Sequence, residues 1–202
     1  MSLSKNNFWH QRFDQESYFY GTEPNDFLRE NITIFPAKGR ILSIGEGEGR
    51  NAVFLAEQGF EVTAIDSAAS GLEKARKLAA ERNVSIETQC VDLNDYVFEE
   101  NHWDGIIAIF CHLPPLLRQQ VHKQISQALK PDGVFLLEAY HPDQLTFKTG
   151  GPSNKELLYE ASYLQQDLDG LRLLRLKETQ RTITEGEGHN GISAVVQLIA
   201  KK

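Results

Sequence analysis

The chain has 202 residues, of which 41% are hydrophobic and 24% charged, with a net charge of -7 from 21 Lys+Arg against 28 Asp+Glu. That length and composition fit one globular domain over residues 1–202, burying roughly 70% of its unfolded surface, and exclude a disordered chain. No apolar run approaches the ~20 residues of a membrane span, and a net negative field opposes nucleic-acid binding. Residues 1–13 lack the apolar core of a secretion signal, so a cytoplasmic chain with neither membrane nor nucleic-acid partner is expected.

The elements alternate, which implies a mostly parallel α/β sheet with helices on both faces. Arg40 to Ile44 reads as the first strand, followed by a helix from about Asn51 to Gln58 that Gly59 terminates. Glu61 to Ile65 is a second strand. Ser70 and Glu73 have capping-box spacing ahead of a helix whose apolar face is Leu72, Ala75, Leu78 and Ala79. Ser85 to Val91 alternates as a third strand, and Asp104 to Phe110 is apolar enough for a strand buried on both faces. Pro114 and Pro115 open a helix with the stripe Leu117, Val121, Ile125 and Leu129. Pro131, Asp132 and Gly133 turn the chain into a fifth strand, Val134 to Tyr140. Thr146 to Ser153 reads as a loop, and part of Lys155 to Asp167 as a helix. Leu171 to Ile183 and Ile192 to Ala200, separated by Gly186, Gly188 and Gly191, read as an antiparallel hairpin.

Chemistry enters at Gly45-Glu46-Gly47-Glu48-Gly49, which follows the first strand and opens a helix. Glycines there permit a tight turn and close ligand approach, and Asp66 at the end of the next strand suits two ribose hydroxyls. The dinucleotide pattern G-x-G-x-x-G fails, because its third glycine falls on Arg50. Glu46 and Glu48 would repel a pyrophosphate but tolerate a cationic ligand, which disfavours NAD and favours S-adenosyl-L-methionine (S-adenosylmethionine below) with its sulfonium. Cys90 and Cys111 lack zinc spacing, no metal cluster is legible, and no Ser-His-Asp arrangement appears.

The segment Ile41-Leu42-Ser43-Ile44-Gly45-Glu46-Gly47-Glu48-Gly49-Arg50-Asn51 resembles the first motif of class I S-adenosylmethionine-dependent methyltransferases. Its Glu-Gly-Arg-Asn ending resembles the tellurite-resistance and thiopurine methyltransferase branch, as does Tyr20-Gly21-Thr22-Glu23-Pro24-Asn25. Ala64-Ile65-Asp66 is similar to the ribose motif, Val91-Asp92-Leu93 to the adenine motif, and Leu129-Lys130-Pro131-Asp132-Gly133 to the turn before strand five. The resemblance covers residues ~18–140. It implies a three-layer Rossmann-like fold with a seven-stranded sheet of order 3-2-1-4-5-7-6, the terminal hairpin supplying the last two strands. It also implies cap helices over residues 1–36, a cofactor core over 40–140 and a substrate-side elaboration over 141–202. The cofactor residues it implies are Tyr20, Gly45, Glu46, Gly47, Gly49, Arg50, Asn51, Asp66, Ser67, Asp92, Leu93, Phe110 and Cys111. One position departs: Ser43 stands where an acid usually faces the methionine amino group, so Glu46 is expected to replace it.

Ligands in open α/β sheets bind beyond the carboxyl ends of the strands, which draws attention to His112 after strand four and His141 after strand five. A strand six parallel to the sheet would bring Glu185 and His189 to the same rim, with Arg181 just below. His112, His141 and His189 are therefore the expected catalytic residues, as bases or as an anion site. Tyr18, Phe19 and Tyr20 read as a lid. His10, His102 and His122 read as solvated residues, and Trp9 and Trp103 as packing anchors. The expected acceptor is a small molecule: a thiol, an amine or a chalcogen oxyanion. A non-catalytic cofactor-binding module and a nucleotide-dependent oxidoreductase remain as alternatives. Oligomeric state leaves no mark on the sequence.

Overall fold

The computed structural model describes residues 8–202. One seven-stranded sheet has the order β3-β2-β1-β4-β5-β7-β6. Its strands are β1 (Arg40–Ile44), β2 (Glu61–Asp66), β3 (Glu87–Cys90), β4 (Trp103–Ile109), β5 (Leu129–Tyr140), β6 (Arg172–Glu185) and β7 (His189–Lys201). The first five run parallel, and β7 is antiparallel to both β5 and β6. Strand β6 is thereby parallel to the rest, and its carboxyl end reaches the same edge as the glycine loop.

Alternation along the strands fills both faces. Leu42, Ile44, Ile106, Ala108, Phe135 and Leu137 pack with Val121 and Ile125 of α5 (Pro115–Ala128) and Leu164 of α7 (Ala161–Asp167). Ile41, Ile107, Ile109, Val134 and Leu136 pack the other way, onto Leu55 of α3 (Arg50–Glu57), Leu72 of α4 (Ala69–Glu81) and Phe27 of α2 (Asp26–Glu30). Short helices α1 (Phe8–Phe13) and α6 (Gln144–Phe147) complete the helical set.

Helix α3 ends as its glycine dictates: Gly59 is left-handed at φ 88°, and the N–H groups of Gly59 and Phe60 return to Ala56 and Leu55. Several local expectations are corrected. The third strand shrinks to four residues, since as a sheet edge it pairs only with β2. Ser70 lies inside α4, its hydroxyl donating to the His10 carbonyl, while Ala68 is the cap; the capping box does not form. The 155–167 stretch divides into a 3-10 turn, Lys155–Leu157, and α7. The hairpin tip is only Gly186-Glu187-Gly188, because the ladder continues to Glu185 opposite His189. Fifth-strand pairing starts earlier than expected, at Leu129 against Trp103, with an irregularity before Gly105.

Candidate active site

The glycine loop takes three left-handed turns, at Gly45 (φ 62°), Gly47 (φ 66°) and Gly49 (φ 96°). Each also meets a neighbour. A Cβ on Gly45 would lie 2.6 Å from Cys111 Sγ, one on Gly49 2.5 Å from Ala75 Cα, and one on Gly47 3.1 Å from the Phe13 ring. Two of these glycines are thus explained by packing of the protein on itself.

Asp66, half-buried at the end of β2, accepts the Gly47 N–H at 2.9 Å and the Ala68 N–H at 2.8 Å. Burial raises its pKa, and the backbone donors of Ala68, Gly47 and Ser67 oppose that shift. A carboxylate has about four acceptor positions, so two hydroxyl donors still fit it. Ser67 is half-buried beside it, and its carbonyl meets Cys90 Sγ at 3.7 Å. Asp92, beyond β3, accepts from the backbone and side chain of Asn94 at 2.9 and 2.7 Å. Leu93 packs against the core. Glycine loop, Asp66, Asp92 and Leu93 therefore fit a nucleoside-bearing cation such as S-adenosylmethionine.

Glu46 turns inward. One carboxylate oxygen accepts the Asn51 and Ala52 N–H groups, both at 3.0 Å, capping α3; the other accepts the Ser43 hydroxyl. Glu46 thus brings a carboxylate to the Ser43 side chain while capping α3, with both oxygens bonded within the protein. Burial raises its pKa against those bonds.

Arg50, expected among the cofactor residues, turns toward the opposite half of the site. Its Nη2 meets Glu185 Oε2 at 2.6 Å, and Nη1 donates to the Glu23 carbonyl at 3.4 Å. Asn51 accepts the Asn25 N–H at 2.9 Å. Both residues fasten α3 to the N-terminal segment and the hairpin. Burial pushes the thiol of Cys111 up to about 12, which opposes thiolate formation at neutral pH.

The second half of the site is a buried ionic lattice. Glu138 on β5, fully buried, accepts from Arg181 Nε and Nη2 at 2.9 and 2.6 Å, from Gln197 at 2.7 Å and from Asn25 at 2.6 Å. Asn25 also reaches Glu185 at 2.9 Å, and Arg181 reaches it at 3.2 Å. Burial alone would raise the Glu185 pKa, but Arg50, His189 and Arg181 bring it down to about 2. Sequence reasoning gave Glu138 and Asn25 no role of their own: Glu138 showed only as an acid inside the apolar run Val134 to Tyr140, and Asn25 only as the end of the Tyr20–Asn25 segment.

Of the three expected histidines, His112 and His189 share the ring of Tyr140, whereas His141 does not join them. His189 is buried among Tyr20, Phe110 and Tyr140, with ring centroids 4.3, 4.4 and 5.2 Å away. Phe110 reaches this cluster from a left-handed backbone (φ 53°), a conformation that costs a non-glycine residue about 1–3 kcal/mol. His112 stacks on the same Tyr140, but Nδ1 donates to the Leu157 carbonyl at 2.7 Å and Nε2 accepts the Tyr140 N–H at 3.4 Å. Burial takes its pKa down to about 4, so it is a neutral strut. His141 turns away toward Asp143 and Glu178, at 3.4 and 3.6 Å.

Around Tyr18, Phe19 and Tyr20, the residues expected as a lid, Phe13 and the hairpin tip also pack. Tyr20 N–H donates to Glu48 at 3.2 Å, while Phe13 also wedges against Gly47 and Gly71. The Glu187 N–H donates to the Phe19 carbonyl at 2.9 Å, so hairpin tip and lid form one clamp. Two solvated expectations are corrected: His122 is buried beside Asp167 at 3.1 Å, and His10 is half-buried, its Nδ1 accepting the Ser70 N–H at 3.2 Å. His102 is partly exposed and meets Glu99 at 2.9 Å. Trp103 is buried as expected, whereas Trp9 is exposed at 42% and stacks on Phe13. No cluster of three metal-ligating side chains occurs among the described residues, nor any helix long and apolar enough to cross a membrane.

Residues 41–133 match a family described as a methyltransferase domain. The chain is 29% identical over 129 residues to the 2-heptyl-1-hydroxyquinolin-4(1H)-one methyltransferase of Mycobacteroides abscessus, covering 60% of this chain and 57% of that one. It is 28% identical over 191 residues to Hemagglutinin 1 of Eikenella corrodens, covering 90% and 60%. The chain spans about half the length of the first curated relatives it matches. The crystal structure of TehB from Haemophilus influenzae superposes with a TM-score of 0.71 at 18% identity, over 98% of this chain and 67% of that one. Solved S-adenosylmethionine-dependent methyltransferases share the fold. Residues 41–133, just under half of the chain, thus resemble a methyltransferase domain, and the solved structures share its Rossmann-like fold.

Proposed function

We propose that the protein transfers a methyl group from S-adenosylmethionine to a small-molecule acceptor, a thiol, amine or chalcogen oxyanion, in the manner of the tellurite-resistance and thiopurine branch. The observation that carries the reading is the half-buried Asp66 carboxylate tied to the Gly47 N–H, beside an acidic glycine loop. When bound, the cofactor supplies an electrophilic methyl on a sulfonium. Asp66 would take the ribose hydroxyls, Asp92 and Leu93 the adenine, and the loop between β1 and α3 the amino-acid part.

The protein then supplies alignment and exclusion of water, as in-line transfer requires. Phe13 and Tyr20 close over the loop, and His189 stands as the acceptor-side group. His112 spends both nitrogens on the backbone, and His141 faces Glu178. Calorimetry with S-adenosylmethionine, its demethylated product and NAD tests the assignment. Binding of the first two and not of NAD is expected; NAD binding, or no binding at all, contradicts it. Methyl release is then measured with small thiols, primary amines, selenite and tellurite. With the acceptor that turns over, His189→Ala is expected to slow turnover and leave cofactor affinity nearly unchanged.

A further inference from the structure

The two polar atoms facing each other at the end of the β6–β7 ladder are both buried and both poorly satisfied. His189 Nδ1 makes no hydrogen bond, and Glu185 Oε2 meets Arg50 only as an ion pair without hydrogen-bond alignment. They lie 3.8 Å apart on residues paired directly across the hairpin. Placing the ring proton on Nδ1 sets a donor toward the carboxylate 3.8 Å away, the favourable electrostatic arrangement of the pair. The opposite tautomer would set two lone pairs against each other.

We propose that Glu185 is a positioning residue that holds His189 as the Nδ1–H tautomer, leaving Nε2 as the base for an acceptor whose nucleophile arrives carrying a proton. The inference rests on the methyltransferase reading and narrows it: an ammonium, thiol or hydroxyl needs such a base, and an oxyanion does not. In the transfer the acceptor's proton passes to Nε2, the pair it leaves forms the bond to the methyl, and the pair of the broken C–S bond stays on sulfur. His189 later returns its proton to water.

The surroundings are arranged for that role. Glu185 is kept ionised by Arg50 and Arg181, and Asn25 fixes its other oxygen. Burial first, then Arg50 and Arg181, keep His189 neutral against the pull of Glu185. The other groups around the ring, Tyr20, Tyr140 and His112, are uncharged at neutral pH, burial having taken the tyrosines up and the histidine down. The edge of the ring carrying Nε2 lies under the Gly150–Gly151 stretch: a Cβ on Gly150 would sit 3.1 Å from His189 Cδ2 and 2.8 Å from Tyr140 Oη. Any side chain at Gly150 would collide with that ring edge.

The test is long-range 1H–15N correlation on the full chain with 15N-labelled histidine at pH 7, His189 being assigned by His189→Asn. The expected wild-type spectrum has Nδ1 protonated and Nε2 bare, and Glu185→Gln shifts the tautomer ratio at least threefold toward Nε2–H, with Glu185→Asp restoring part of it. A wild-type Nε2–H tautomer, a doubly protonated ring, or a ratio unmoved in a folded Glu185→Gln overturns the inference. With His189 also assigned by through-bond correlation to its backbone, the wild-type spectrum decides even if the variants fail to fold. Calorimetry with S-adenosylmethionine is read separately, so loss of the methyltransferase reading and loss of this inference are distinguishable.

Discussion

The two halves of the site are built by different physics. On the side of β1, β2 and α3, short sequence separations do the work: left-handed glycines, an acid three residues from the Ser43 it bonds, and an aspartate 19 residues from the Gly47 N–H it accepts. On the side of β5, β6 and β7, the contacts join residues far apart in the chain: Asn25 to Glu138 across 113 positions, Asn25 to Glu185 across 160, and Arg181 to Glu138 across 43. The first half is a local conformation that a motif can encode. The second is a set of buried charges that exists only once the whole sheet is assembled.

That difference predicts unequal fragility. Glu138→Ala leaves the Arg181 guanidinium, Asn25 and Gln197 without the acceptor they converge on. Breaking a buried ion pair from one side costs about 3–5 kcal/mol, so a large drop in urea-denaturation stability is expected. A loss below ~1 kcal/mol would mean the lattice contributes little and the two halves differ less than their geometry implies.

Acid should act on the second half next. His112 has its folded pKa lowered from 6.5 to about 4, so the unfolded chain takes up the proton first. The stability it contributes is complete above pH ~6.5 and is lost as pH falls from ~6.5 toward ~4, by up to about 3 kcal/mol. His122 and His189, also shifted down by burial, add losses of the same sign. Glu185, with its pKa at about 2, begins to lose its contribution only below the ordinary 4.5. Denaturation midpoints at pH 7 and pH 5 should differ clearly in the wild type and less in His112→Asn. Equal pH dependence in the two would remove His112 from the account.

Legibility in the sequence follows the same division. The glycine loop and the left-handed end of α3 at Gly59 were readable because each rests on neighbours in the chain, whereas the sheet order came only from the family resemblance. The direction of Arg50 was not: a guanidinium beside the glycine loop looks like a ligand contact until β6 places Glu185 2.6 Å away. The grouping of His141 with His112 and His189 failed for a related reason. Tyr140 and His141 are adjacent, and strand alternation sends them to opposite faces, so His141 finds Glu178 while Tyr140 stacks with His112. His122 lies on the buried stripe of α5 one residue from Val121, and Asp167 arrives from α7 to receive it. Glu138 carried a sign of its own, a lone carboxylate in an apolar strand, yet nothing local named its partners.

The central claim is that Asp66 and the glycine loop hold S-adenosylmethionine, and the dissociation constant of Asp66→Ala, measured by calorimetry beside the wild type, tests it most directly. Each charge-assisted bond to a ribose hydroxyl contributes about 1.5–3 kcal/mol, so affinity should fall at least ~10-fold with the fold retained by circular dichroism. A folded Asp66→Ala that binds S-adenosylmethionine as tightly as the wild type would contradict the assignment.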